Sequence, residues 1–214
     1  MKLVQFGLAL AAISSRIIIA SADDLPLPPL PPWYPLKPWQ ISSVSTYNPH
    51  ESPYGPDASG LLLTISNVQY LPAVPAPHGS GGGYVAFPKS TAQCELHWKA
   101  DDMTPYGFST NSCITDTAPG DFSKVQWQMT LNELHTDLSA PGDYYFSVSF
   151  QLSYNGTAYA TQGYKRMTGS AFFEASTNLE GQCAEDGLCE YKLKNASSPA
   201  LSQPTLQECK SACG

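Results

Sequence analysis

Apolar and polar residues alternate with a period of two along much of this chain. Such alternation is typical of a β-strand that buries one face and exposes the other to water. In segment 144–152, for example, aromatic and aliphatic residues hold the even positions, and Tyr, Ser and Gln hold the odd ones. The pattern predicts strands at 40–47, 61–68, 93–99, 125–131, 144–152, 158–164, 170–174 and 191–193. These strands predict an all-β, single-domain fold, either an antiparallel β-sandwich or a β-barrel, stapled by disulfides.

Turn-forming residues separate the predicted strands. Pro-Gly pairs occur at residues 119–120 and 141–142, and Asn155-Gly156 lies between two strand-like segments. Because Asn-Gly accepts the positive φ angles of a two-residue turn, we expect a tight hairpin at Asn155-Gly156. Segment 72–83 is rich in Gly and Pro and is predicted to be a loop.

Six cysteines lie behind a predicted export signal, and an even number in that setting predicts a disulfide framework. Cys94 and Cys113 are 19 residues apart, each beside a predicted strand, and we expect them to pair. For the other four, the short spacings suit the neighbour pairs Cys183–Cys189 and Cys209–Cys213. The main alternative is a Cys183–Cys209 or a Cys189–Cys213 crosslink. The spacings match no Cys-x2-Cys zinc pattern, and the four histidines share no short spacing, so no metal site is predicted.

The N-terminal segment 1–22 is predicted to be a secretory signal peptide. It has a positive start, an apolar run over residues 3–13 and a small-x-small sequence at 20–22, which places cleavage before Asp23. Arg16 interrupts the apolar stretch, which is too short to span a bilayer. The protein is therefore predicted to be secreted and extracellular. Three parts follow: a proline-rich extended segment 23–38, a β-rich disulfide domain 39–194, and a Ser/Pro-rich tail 195–214 with a terminal cysteine pair.

The charge of the chain argues against two classes of partner. The formal net charge is −7, and loss of segment 1–22 removes Lys2 and Arg16 but no acidic residue, which makes it −9. No basic cluster offsets this charge. We therefore expect neither nucleic acid nor an anionic membrane as a partner.

Two tripeptides, Asn155-Gly156-Thr157 and Asn195-Ala196-Ser197, are N-glycosylation sequons and predict surface positions. Asn155 is expected at a hairpin tip.

The sequence contains no serine-hydrolase elbow, zinc-protease motif, dinucleotide fingerprint or phosphate loop. His135 and Asp137 form a potential acid–base pair without an indicated nucleophile, and His97 is predicted on the wet face of its strand. A glycosidase needs two carboxyl groups that flank a cleft, and no two carboxylates of this chain can be paired from the sequence, so most are predicted to be solvated. The candidates are Asp101, Asp102, Asp116, Asp121, Glu133, Asp137 and Glu174. We therefore predict a protein that is not an enzyme and that needs no cofactor.

Aromatic residues suggest either a core or a binding surface. Trp98 and Trp127 lie on the apolar faces of their strands and are predicted to pack in the core. Tyr145, Tyr154 and Tyr159 are the better candidates for an exposed surface that stacks sugars or holds an apolar ligand.

Several of these features occur in one order along residues 39–193: Trp39-Gln40-Ile41, the Leu61–Ile65 strand, Cys94-x3-Trp98, Cys113, Trp127, an aromatic strand at 144–150, and a late Asn-Leu-x-Gly-x-Cys-x5-Cys at 178–189. This order resembles the small secreted fungal proteins related to the Alternaria major allergen. The resemblance implies a compact secreted β-protein from a filamentous fungus, and it carries over only the disulfide candidates. The allergen dimerises through an N-terminal cysteine, whereas no cysteine precedes Cys94 here.

Three functions are expected from these features. The first is a secreted, non-enzymatic fungal protein that acts as an apoplastic effector or elicitor and contacts a host plant surface component. The second is a β-barrel that binds a small phenolic or lipid. The third is a cell-wall carbohydrate-binding protein or hydrolase.

Overall fold

A computed structural model describes residues 35–47, 58–75, 84–99, 111–117, 123–136, 144–158, 160–183, 189–195 and 200–208. These ranges hold fourteen strands and no helix. The strands are β1 (Trp39–Tyr47), β2 (Ala58–Asn67), β3 (Leu71–Pro75), β4 (Tyr84–Phe87), β5 (Ser90–Lys99), β6 (Asn111–Ser112), β7 (Ile114–Thr117), β8 (Ser123–Thr136), β9 (Tyr144–Ala158), β10 (Thr161–Glu174), β11 (Leu179–Cys183), β12 (Cys189–Leu193), β13 (Ala200–Ser202) and β14 (Thr205–Glu208).

The strands form two large sheets and one small one. A seven-stranded sheet has the order β11-β12-β1-β2-β5-β7, with β13 also paired to β1, and a five-stranded sheet has the order β14-β10-β9-β8-β6. Strands β3 and β4 form a separate two-stranded sheet. The pairings between the described strands are all antiparallel. The all-β prediction is therefore confirmed, and of its two alternatives the layout is that of a sandwich.

Large side chains from both sheets fill the space between them. Trp39 of β1 and Trp127 of β8 are fully buried, and their rings meet edge to face with centroids 4.7 Å apart. Phe146 and Phe173 stack at 4.9 Å on the inner face of the five-stranded sheet. Each such ring stabilises the fold by about 1.5–3 kcal/mol relative to an exposed one. Trp127 is thus in the core as predicted, and Trp98 packs against the core while partly buried.

The Cys94–Cys113 disulfide lies where the chain crosses between the sheets. Cys94 is buried in β5 of the seven-stranded sheet. Cys113 lies between β6, which belongs to the five-stranded sheet, and β7, which belongs to the seven-stranded sheet. Its backbone N–H donates to the carbonyl oxygen of Trp127 at 2.9 Å. The predicted pairing is confirmed, and the bond fastens the crossing segment to both sheets.

The predicted hairpin turn at Asn155-Gly156 is wrong. Both residues lie inside β9, where Asn155 pairs with Tyr164 and Gly156 with Gly163. The strand continues to Ala158, and Ala160 has the positive φ, 65°, in the turn that follows. The reason is tertiary: β8 pairs with the other edge of β9 as far as Gly156, and hydrogen bonding on both sides outweighs the local preference of Asn-Gly. Asn155 is accordingly not at a hairpin tip.

The longer strand also changes the position of Tyr154. It was predicted on the surface, but it is fully buried, because the even positions of β9 face inward along the described strand. Tyr145 lies on the opposite, outward face, as predicted, while Tyr159 lies outside the described residues.

Other predicted segments differ in extent. Part of the predicted loop 72–83 belongs to β3, which pairs with β4. Residues 161–164 and 170–174 of two predicted strands belong to one continuous strand, β10, whereas Ala158 is the last residue of β9. In the predicted tail, β13 pairs with β1 and β14 pairs with β10, so both large sheets include this segment.

Several predictions fall outside the described residues: the signal peptide 1–22, most of the proline-rich segment 23–38, Cys209 and Cys213. In the part of the chain that the structure describes, no helix has the length and apolar character needed to cross a membrane.

Candidate functional site

The outward face of the five-stranded sheet carries a groove of about 640 Å³. Its floor comes from the middle of β8, β9 and β10, and one wall comes from the segment that leads into β14. The lining residues are Gln128, Thr130, Ser149, Phe150, Gln151, Thr168, Gly169, Ser170, Gln203 and Thr205. None of these ten residues carries an ionisable side chain, so the groove offers amide and hydroxyl groups without a formal charge.

Strand register brings the polar side chains into rows. Gln128, Gln151, Thr168 and Thr205 are successive cross-strand partners from β8 to β14. Neighbouring strands lie about 4.8 Å apart, so this row extends over about 14 Å. A second row beside it contains Thr130, Ser149 and Ser170. The groove is therefore built by long-range pairing of segments that lie far apart in the chain.

Hydrogen bonds hold several of these side chains in place. The amide nitrogen of Gln151 donates to Oε1 of Gln128 at 3.0 Å and to Oγ of Ser153 at 3.4 Å. Nδ2 of Asn132 donates to Oγ of Ser149 at 2.6 Å. Such cross-strand contacts restrict the rotamers of the lining residues before any ligand arrives.

An aromatic cluster of His135, Tyr145 and Phe172 lies on the same face, beyond one end of the groove. The rings of His135 and Tyr145 stack at 4.8 Å, and those of Tyr145 and Phe172 are 5.5 Å apart at 35°. The Tyr145 hydroxyl donates to Oε1 of Glu133 at 3.2 Å. Phe172 remains 51% exposed.

A register shift in β8 completes this cluster. The strand is irregular between Leu131 and Glu133. Before the shift, the even-numbered residues of β8 face outward, as Thr130 does. Beyond the shift, the odd-numbered residues face outward: Glu133 is exposed and His135 is half-buried on that face. The irregularity therefore turns His135 towards its cross-strand partner Tyr145.

The structure separates the residues considered for catalysis. His97 is exposed on the other sheet, as predicted, and His135 stacks on Tyr145, whereas Asp137 lies outside the described residues. Glu133 and Glu174 are the cross-strand partners of Ser147 and Tyr145, beside the aromatic cluster and outside the groove. Among the described residues, no group of three or more His, Cys, Asp or Glu side chains is placed to hold a metal ion.

The remaining site predictions concern modification and disulfides. Asn155 is half-buried within β9, and Asn195 is exposed just after β12. Backbone pairing places Cys183 of β11 directly opposite Cys189 of β12. Directly opposed Cα atoms lie about 4.5–5.5 Å apart, within the range that a disulfide requires. Glycosylation and this second disulfide stay predictions.

The alternation in the sequence predicts many of the groove residues on solvent-exposed strand faces, but it did not identify them as a site. A signal was nevertheless present: the outward positions of the predicted strands 125–131 and 144–152 hold Gln, Thr, Ser and one Tyr, with no charged residue among them. Such an uncharged outward face is the feature of the sequence that a search for a neutral binding surface could have used.

Comparisons of the chain with protein-family models, with curated proteins and with solved structures found no match. The resemblance to the Alternaria allergen group stays a prediction, and the groove's own chemistry is the basis for a functional proposal.

Proposed function

We propose that this protein is a secreted, non-enzymatic carbohydrate-binding protein whose groove holds a neutral polysaccharide. The observation that carries the proposal is the uncharged lining of amides and hydroxyls. Glutamine presents two N–H donors and one acceptor oxygen, and each Ser or Thr hydroxyl both donates and accepts. A sugar chain presents hydroxyls that likewise donate and accept, so the two surfaces are complementary along their length.

The same lining disfavours other ligands. An ionic ligand would leave its charge without a partner in this groove, which is unfavourable once water is displaced. A phenolic or lipid needs a mainly apolar pocket, whereas the groove is polar. Between the two sheets, the contact between the rings of Trp39 and Trp127 occupies space that such a ligand would need. An extended peptide binds most readily along an exposed strand edge, whereas this groove crosses the face of a sheet.

The lining also supports a binding role without hydrolysis. Glycoside hydrolysis requires two carboxyl groups that flank the scissile bond. The groove lining includes neither an Asp nor a Glu side chain. An effector or elicitor role at a plant surface fits the same proposal, since a wall polysaccharide is a surface component that such a protein would contact.

Retention on insoluble chitin, β-glucan and cellulose tests the proposal, with reducing-end release measured in parallel. Gln151→Ala removes a side chain at the centre of the groove, and Gln93→Ala is the matched control because Gln93 is exposed on the other sheet. Loss of one or two hydrogen bonds of about 0.5–1.5 kcal/mol each predicts roughly tenfold weaker binding for Gln151→Ala. Gln93→Ala should bind like wild type.

Failure of the wild-type protein to bind any of the three polymers would contradict the proposal. Equal losses in the two variants would place binding elsewhere. Release of reducing ends would contradict the non-enzymatic role.

A further inference from the structure

The aromatic cluster of His135, Tyr145 and Phe172 extends the groove in a chemically different direction. The groove provides hydrogen-bonding groups, whereas the cluster provides aromatic rings. A polar site with adjoining rings fits a ligand that has hydroxyls around its edge and an apolar face. Since this step depends on the proposed carbohydrate binding, its test must separate the two.

The cluster is continuous with the groove along the strands. Phe172 is the next outward residue of β10 after Ser170, and its partner Ser147 is the next outward residue of β9 before Ser149. Same-face neighbours on a strand are about 7 Å apart. One extended chain lying over the sheet would therefore contact the hydroxyl of Ser170 and the ring of Phe172 through neighbouring units.

The cluster is also held in place ahead of binding. Tyr145 lies between the other two rings, and its hydroxyl donates to Glu133 at 3.2 Å. The rings come from three adjacent strands, β8, β9 and β10, so the sheet fixes their spacing. Phe172 differs from the core rings because about half of its surface is accessible, which leaves its ring available for stacking.

We infer that the aromatic cluster is a stacking subsite for β-linked glucopyranose units, and that Phe172 sets the specificity of the groove for them. In a β-glucopyranose the ring hydroxyls are equatorial, so each face of the sugar presents mainly axial C–H groups. These carry a slight positive charge and pack favourably on the negative face of an aromatic ring. A sugar with an axial hydroxyl, such as mannose at C2, interrupts that face and loses part of the contact.

Glucose and N-acetylglucosamine both have equatorial substituents around the ring, so either could stack on Phe172. The experiment therefore compares oligosaccharides of both sugars. Titration calorimetry with cellohexaose, laminarihexaose and chitohexaose identifies the source, and β-1,4-linked mannohexaose is the axial-hydroxyl control. We expect at least one of the first three to bind about tenfold or more tightly than mannohexaose.

Phe172→Ala is the main variant, and Phe172→Tyr should restore binding because it keeps the ring. Tyr70→Ala is the matched control, since Tyr70 is an aromatic of similar exposure (55%) on the link between β2 and β3. For Phe172→Ala we expect about tenfold weaker binding of the preferred glucose-type oligomer and little change for mannohexaose. The selectivity ratio should therefore collapse, which a general loss of folding does not produce.

The outcomes separate the two proposals. If wild type binds and Gln151→Ala weakens binding while Phe172→Ala has no effect, the stacking subsite is wrong and the groove stands. Equal binding of mannohexaose and the glucose-type oligomers also overturns the subsite. If wild type is retained on a polymer but binds none of the hexasaccharides, the stacking subsite is wrong and the carbohydrate-binding proposal stands; if it binds neither polymer nor hexasaccharide, both proposals fail.

Discussion

Removal of the Tyr154 hydroxyl tests the most consequential difference between the expected and observed structures. The hydroxyl accepts a hydrogen bond from Nδ2 of Asn67 at 2.7 Å and donates one to the carbonyl oxygen of Pro88 at 3.1 Å. Tyr154→Phe deletes both bonds. It keeps the ring, which stacks on Phe87 with centroids 4.8 Å apart, so the apolar packing is preserved.

The expected magnitude follows from this environment. Each bond contributes about 0.5–1.5 kcal/mol, and an unpaired buried group costs about 1–3 kcal/mol. After the change, the Asn67 amide nitrogen retains its bond to the Gln69 carbonyl oxygen at 3.1 Å. Oδ1 of Asn67 is already a buried acceptor without a hydrogen-bond partner among the described residues. We therefore expect no nearby donor to replace the Tyr154 hydroxyl at the Pro88 carbonyl oxygen. We expect Tyr154→Phe to lower the free energy of unfolding by about 2 kcal/mol, within a range of roughly 1–3.

Urea unfolding of the oxidised protein, followed by tryptophan fluorescence, measures this difference. Tyr145→Phe is the matched control, because its hydroxyl donates to Glu133 on the outward face and its loss should change stability by less than about 0.5 kcal/mol. An unchanged m-value in both variants shows that the comparison concerns stability alone. If Tyr154→Phe destabilises no more than Tyr145→Phe, the buried and hydrogen-bonded position of the Tyr154 hydroxyl is wrong.

Three further predictions concern the turn, the disulfide and the response to alkali. Ala160→Gly should raise the free energy of unfolding by about 0.5–1 kcal/mol in urea titrations, because Gly relieves the strain of φ 65°; a loss of stability would contradict that turn. Changing both Cys94 and Cys113 to Ser should lower the free energy of unfolding by about 3 kcal/mol under non-reducing conditions. A loss below about 1 kcal/mol would contradict a stabilising role for this disulfide. Burial raises the pKa of Tyr144 well above its usual range, and burial also raises that of Tyr191, so the folded state keeps protons that the unfolded state releases. Stability should therefore fall as the pH rises above about 10, less steeply in Tyr144→Phe, and parallel profiles for the two proteins would count against this explanation.

The proposed site was only partly accessible to sequence reasoning. Alternation within β8 and β9 placed residues such as Gln128, Ser149 and Gln151 on a wet face, because strand geometry sends successive side chains to opposite sides. It could not place Thr205 beside Thr168, since that contact depends on pairing between β14 and β10. Nor could it place His135 against Tyr145, since the irregularity in β8 has no local signature in the sequence.

The sequence by itself determined the β class, the inward faces of its alternating strands and the Cys94–Cys113 disulfide. Burial of Trp127 and Phe146 follows from period two, which is a local property of the chain, and Cys94 and Cys113 are close enough in sequence to be paired by spacing. Tertiary structure alone decided where β9 ends, which residues of segment 195–214 join the sheets, and how separate polar faces combine into one groove. The physical reason is that register and strand order depend on hydrogen bonds and packing between distant segments, and these outweigh a local preference such as that of Asn155-Gly156 for a turn.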